Sequence, residues 1–197
     1  IYDTKLLHRP RKREIFEATE KILLRQTSSF PICTIDYDQF YTLDTVHNGL
    51  LVNNEFSLKY ILTLLNSRLL RFLYESSINE GGKVFAQVKI IYIDPLPIKI
   101  LSKENQIPFE VAADKIILAK KQLQLINDKF KKYFSGQYKL EKLPKKLENW
   151  HILTFTEFIE ELNKSIKATG QTSFTKKDEF DWIELFEENK DKAQNLI

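Results

Sequence analysis

From Phe109 onward, apolar residues recur at Ala112, Ile116, Ala119, Leu123, Ile126, Phe130 and Tyr133, in steps of four, three, four, three, four and three. A repeat of that kind keeps one seam on one side of a helix, so the spacing predicts a long helix packed against another helix and stopped at Gly136. Three uses of such a helix stand open: packing within the same chain, a spacer between domains, or a surface for a partner. Beyond it, Thr154 with Glu157 reads as a capping box. The apolar residues Phe155, Phe158, Ile159, Leu162 and Ile166 give the helix that follows one apolar face. Thr169-Gly170-Gln171 marks a turn, and Thr175 can cap a last helix carrying Phe180, Trp182, Ile183 and Phe186. Trp150 and Trp182, with these phenylalanines, fit either a binding groove or the core of the helical part.

The front of the chain has a different rhythm. Lys21 to Gln26 (KILLRQ) and Pro31 to Asp36 (PICTID) are short strand-like runs separated by Thr27-Ser28-Ser29. The aromatic and β-branched stretch Gln39 to Val52, broken by His47-Asn48-Gly49, is expected to add one or two strands. Ser57 can cap a helix with Leu58, Ile61, Leu62, Leu65, Leu69, Phe72 and Leu73 at helical spacing, ending near Glu75 to Asn79. Asp94-Pro95-Leu96-Pro97 then forces an extended exit. The expected fold class is α+β. Residues 1–100 would form a small mixed sheet with a packed helix, and 101–197 a helical region with the heptad helix and two further helices.

Between the apolar helix and the prolines lies Gly81-Gly82-Lys83-Val84-Phe85-Ala86-Gln87-Val88-Lys89-Ile90. Read as a strand, it places Lys83, Phe85, Gln87 and Lys89 on one face and Val84, Ala86, Val88 and Ile90 on the other. Cations, an amide and a ring on one face suit a phosphate backbone and a base edge, and they equally suit a strand whose polar side meets water. The chain opens with His8-Arg9-Pro10-Arg11-Lys12-Arg13, a basic stretch that Pro10 keeps from being helical, expected to be a loop or arm. Net charge is +3 overall, but residues 1–138 hold 20 Lys and Arg against 15 Asp and Glu. An anionic partner should therefore prefer the front of the molecule.

Several chemistries have no motif here: there is no glycine-rich phosphate loop, no HExxH, no cysteine pair for zinc and no GxSxG elbow. His8, His47 and His151 lie far apart, which disfavours a metal site, and His47 fits either a base contact or a partly buried structural histidine. Asp36 and Asp38 could hold a cation, but no Glu-x-Lys accompanies them as in a nuclease centre. Cys33 is the single cysteine, so an internal disulfide is excluded, and its apolar surroundings predict a buried thiol in a reducing, cytoplasmic compartment. No apolar run approaches the roughly 18 residues that cross a bilayer. The chain starts at Ile1 and contains no Met, so it is expected to be a fragment of a longer polypeptide.

The succession RPRKREIF, KILLRQT, TIDYDQFYTLDTVHN, YILTLLNSRLLRFLY, KVFAQVKI and PLPI resembles the TaqI-like C-terminal specificity domain of bifunctional restriction and modification enzymes. Asn66-Ser67 and Phe85 to Ile90 are its most specific pieces. The later TFTEFIEEL and FTKKDEFDWIELFEENK also look like the tail of such enzymes. The resemblance implies a target recognition domain that reads double-stranded DNA for an adenine-N6 methyltransferase and an endonuclease in the same polypeptide. The parent would use S-adenosylmethionine and magnesium. The Asn-Pro-Pro-Tyr and S-adenosylmethionine motifs of those enzymes are not in this sequence, so no catalytic residue, cofactor site or metal site is expected in the fragment itself. The expected DNA-binding residues are Arg9, Arg11, Lys12, Arg13, Arg25, Gln26, Thr27, Ser28, Lys83, Gln87 and Lys89. The alternatives are a helical protein-interaction module and a fragment with its own nuclease centre.

Overall fold

In a computed structural model, residues 12–78 and 86–197 are described. They form two compact units, 1–114 and 115–197. The class is α+β: a three-stranded sheet with eight helices.

The first unit is built on β1 (Lys21–Arg25), β2 (Cys33–Asp36) and β3 (Val46–Gly49), in the order β2-β1-β3 with both neighbours antiparallel to β1. Successive side chains of β1 alternate between faces. Ile22 and Leu24 point to one side, where Leu24 packs with Tyr74, Val88, Leu96, Cys33 and Leu65. Lys21, Leu23 and Arg25 point to the other. Because β2 and β3 run in the same direction, the chain must return from Asp36, opposite Lys21, to Val46, opposite Arg25. It does so through a crossover, residues 37–45, lying on the Lys21–Leu23–Arg25 side, where Asn48 Nδ2 donates to Thr42 Oγ1 at 2.7 Å. Leu65, Leu73 and Tyr74, from helices, therefore cover one face of the sheet, while the loop and Phe16, which stacks on Tyr41, cover the other.

The apolar helix expected from Ser57 is two helices, α2 (Leu58–Leu65) and α3 (Arg68–Ser77), after the one-turn α1 (Arg13–Phe16). The break has a local cause. Ser57 caps α2 by accepting from Tyr60 N–H, and Ser67 starts a new helix by accepting from Leu70 N–H at 3.1 Å. Between them Asn66 turns its amide onto β2: Nδ2 donates to Cys33 O and Oδ1 accepts from Cys33 N–H, each at 3.0 Å. The redirection buries Leu70 and Tyr74. Leu69 and Phe72, expected in the buried seam, stay 66% and 64% exposed.

The glycine-led strand is also corrected. Residues 79–85 lie outside the described residues, 86–89 are in no helix and pair with no strand of the sheet, and Ile90 opens the short helix α4 (Ile90–Ile93). One anchor holds the segment: Val88 is buried and its N–H donates to Gln26 O at 2.7 Å, just past the end of β1. Lys89 N–H donates to Tyr74 Oη at 3.2 Å. A single backbone bond at a strand end does not extend a ladder, so alternation survives at Gln87 and Lys89 without a fourth strand.

The long helix α5 (Lys103–Gln137) begins six residues before Phe109 and passes Gly136; the left-handed residue beyond it is Lys139, at φ 52°. Residues 103–114 belong to the first unit. There Gln106, fully buried, accepts from Ser57 N–H at 2.7 Å and donates to Glu55 O and Leu101 O, which fixes the start of α2. Residues 115–137 belong to the second unit. Its core gathers Leu123, Phe130 and Phe134 of α5 with Trp150 and with residues of α7 (Phe155–Ala168) and α8 (Lys176–Gln194), preceded by the one-turn α6 (Lys145–Glu148). Phe130 and Trp150 lie 4.2 Å apart between ring centres and Phe158 stacks on Phe186 at 4.8 Å, so these rings fill a core. Ile116 and Tyr133 of the heptad seam are 60% and 52% exposed, and Phe134 is buried in their stead. Capping boxes begin α7 (Thr154, Glu157) and α8 (Thr175, Asp178).

Candidate nucleic-acid interface

Two ends of β1 carry the polar residues singled out in the sequence. At the Arg25 end, the backbone of Gln26 is held three ways: its N–H donates to Thr45 O at 3.0 Å, and its carbonyl accepts from Ser28 N–H at 2.9 Å and Val88 N–H at 2.7 Å. The last bond sets Gln87 and Lys89, both exposed, on either side of Gln26. Arg25 and Thr27 are exposed and Gln26 and Ser28 half-buried, with Ser28 Oγ accepting from Phe30 N–H. The structure thus brings together Arg25, Gln26, Thr27, Ser28, Gln87 and Lys89. Arg71 of α3 joins them: its guanidinium lies 3.5 Å from the centre of the Phe30 ring and pairs with Glu75. Sequence spacing gave no sign of Arg71, because the break at Asn66 decides where α3 points.

Lys12 and Arg13 open α1, whose Phe16 O accepts from Lys21 Nζ at the other end of β1. Four rises along β1 separate the two ends by roughly 13 Å. Arg13 Nε meets Glu17 Oε1 at 2.6 Å; the Glu17 hydrogen bond, then the Tyr41 hydroxyl, raise the guanidinium's pKa further and hold Glu17 below the usual carboxylate range. Lys12 is exposed. Arg9, Arg11 and Lys83 lie outside the described residues.

Asp36 is no cation ligand. Its Oδ2 meets Lys21 Nζ at 2.6 Å, with both side chains wholly buried, and accepts from Phe40 N–H at 2.9 Å, while Oδ1 accepts from Asp38 N–H at 2.8 Å. Lys21 Nζ also donates to Phe16 O at 2.7 Å. Burial pushes the Asp36 carboxyl pKa up, but the Lys21 bond and the two backbone N–H groups outweigh it and leave it below the ordinary value. Among the described residues no group of three or more His, Cys, Asp or Glu could hold a metal ion. His47 is half-buried on the helix side of the sheet, and its Nε2 has no hydrogen-bond partner. Burial pushes the Cys33 thiol up to about 12, which suits packing and not nucleophilic chemistry. Among the described residues no helix is long and apolar enough to cross a membrane.

The first unit is thus a three-stranded sheet with a polar strand end at Arg25. Residues 1–98 match the model of the TaqI-like C-terminal specificity domain, and this part of the chain belongs to that family. Its role is DNA sequence specificity in restriction-modification enzymes, and a specificity domain is itself non-catalytic. Residues 102–197 match a second family, described as Domain of unknown function (DUF8810). No curated protein and no solved structure matches the chain.

Proposed function

We propose that residues 1–100 read a specific sequence in duplex DNA and so position an adenine-N6 methyltransferase and an endonuclease carried by the same polypeptide, in a cytoplasmic restriction-modification enzyme. S-adenosylmethionine and magnesium would serve those attached domains, and 101–197 would act as a helical spacer. The observation that carries the reading is the Gln26–Val88 backbone bond, which joins Arg25, Gln26, Thr27 and Ser28 to Gln87 and Lys89 at one strand end. Lys and Arg there suit phosphates, while Gln and Thr can pair with base edges. The test is binding of the chain to a duplex selected from a randomised pool, with Arg25→Gln/Lys89→Gln as the variant. Affinity should fall, and the dependence of log K on log salt should flatten by about one for each phosphate contact removed. Unchanged affinity and salt slope would remove these residues from the interface.

A second reading has one observation behind it. Leu118 and Leu125, seven residues apart on the second-unit part of α5, are 57% and 70% exposed, a stripe that suits a partner helix. Leu118→Asp/Leu125→Asp should then abolish a self-association seen by sedimentation. Leu123 and Ile126 cannot serve that test, because they belong to the unit's own core.

A further inference from the structure

We infer that the crossover loop 37–45 enters a groove of the duplex and reads bases through Phe40 and Leu43, and that the buried Lys21–Asp36 pair is its positioning device. This rests on the reading of the first unit as a duplex-DNA specificity domain. The loop sorts its own side chains. Gln39 Nε2 donates to Glu17 O at 3.0 Å, Tyr41 Oη donates to Glu17 Oε1 at 3.0 Å while its ring stacks on Phe16 at 4.9 Å, and Thr42 Oγ1 accepts from Asn48. These three are tethers. Tyr41 keeps one edge open at 64% exposed, while Phe40 and Leu43 have no such side-chain tether and are 58% and 78% exposed, beside exposed Asp38 and Asp44.

The loop is held more firmly than a connection requires. Asp36 accepts from two of its backbone N–H groups, and Gln39 between them adopts φ 57°, a left-handed conformation that is uncommon for a residue with a side chain. Holding exposed apolar groups in a set shape fits a surface that meets a partner. Charge names the partner's face. No Lys or Arg lies in 37–45, and its two carboxylates disfavour phosphate contact. Exposed cations stand outside the loop instead, Lys12 just before α1 and Arg25 at the end of β1. Cations outside the loop can meet the phosphates that line a major groove while the loop itself faces the base edges on its floor. Phe40 and Leu43 then suit the thymine C5-methyl group, and Asp38 or Asp44 the cytosine amine.

The experiment compares the wild-type chain with Phe40→Ala/Leu43→Ala and with Lys21→Met/Asp36→Leu, each selecting from a pool of randomised duplex DNA. The exposed pair can be truncated without opening the core. The double variant should lose preference at one or two adjacent base pairs, with a roughly ten- to hundredfold drop in discrimination between selected and random duplex. Its affinity for random duplex and its salt slope should stay as in the wild type. Uracil in place of thymine at those positions should weaken the wild type and leave the double variant indifferent. Lys21→Met/Asp36→Leu removes both buried charges together with the acceptor of the Asp38 and Phe40 N–H groups; it should broaden preference at the same base pairs while keeping random-duplex affinity, an effect that loss of folding would not produce. An unchanged motif and discrimination in the double variant would overturn the loop's role and leave the proposed function standing. A parallel loss of specific and random-duplex binding would also overturn it, because the loop would then be an affinity contact. If the wild type selects no motif at all, the proposed function falls and the inference falls with it.

Discussion

Removing one partner of the Lys21–Asp36 pair should destabilise the first unit strongly. In Asp36→Ala the ammonium of Lys21, wholly buried, keeps only Phe16 O as an acceptor. An uncompensated buried charge costs about 3–5 kcal/mol, and the N–H groups of Asp38 and Phe40 each lose an acceptor at about 1 kcal/mol. Against a typical domain stability of about 5–15 kcal/mol, the variant should be marginal at 25 °C. Lys21→Met/Asp36→Leu removes both charges and should recover most of the loss, leaving about 2 kcal/mol for the two N–H groups. Amide exchange at β1 during a urea titration follows this unit. Trp150 and Trp182, the two tryptophans, both lie in the second unit, so their fluorescence serves as an internal reference. In the wild type the folded Asp36 pKa is lowered, so its contribution is complete above the unfolded value of about 3.9 and is lost as pH falls through the folded one. A cost below about 1 kcal/mol for Asp36→Ala, or a double variant no better than the single one, would refute the reasoning.

Two further outcomes follow from neighbouring geometry. Asn66→Ala removes both hydrogen bonds to the Cys33 backbone and should cost about 1–2 kcal/mol, with faster exchange at the Cys33 amide and little change at β3. His151 has its pKa lowered by burial and then by Lys120 and Lys131, so the unfolded chain binds a proton first as pH falls. The second unit, followed by tryptophan fluorescence, should therefore lose stability as pH drops below the unfolded value of about 6.5, and His151→Gln should flatten that slope.

What the sequence made legible tracks how local each signal is. The caps at Ser57, Thr154 and Thr175 each depend on a few adjacent residues, and all three hold. The split at Asn66-Ser67 escaped the periodicity, because continuous apolar spacing does not register that Asn66 bonds across to β2 and Ser67 caps a new helix. The run 83–90 reads as a strand by alternation, yet a strand needs a neighbour along its length, and 86–89 lies in no ladder of the sheet, held by Val88 N–H on Gln26 O and Lys89 N–H on Tyr74 Oη. The Lys21–Asp36 pair was legible as two charges flanking apolar runs but not as a pair, since only the antiparallel register places them side by side.

The residues that make the family recognisable have a common role in this structure. Asn66 pins β2, Ser67 redirects α3, and Val88, inside the Phe85 to Ile90 match, anchors its segment in the core. They are scaffold. The exposed Arg25, Thr27, Gln87, Phe40 and Leu43 are free to change without disturbing a buried contact, which is the freedom a specificity domain needs if one fold is to serve different target sites. Recognition of the fold and ignorance of the target thus have one physical origin. The positions that report the fold are bonded or buried, Asn66 through its amide on β2 and Val88 in the core, whereas the side chains of Arg25, Thr27, Gln87, Phe40 and Leu43 are exposed. By that argument, exchanging Phe40, Leu43 and the exposed residues of 25–28 should alter base preference at little cost in stability, whereas changing Asn66 or Val88 should cost stability before it alters preference.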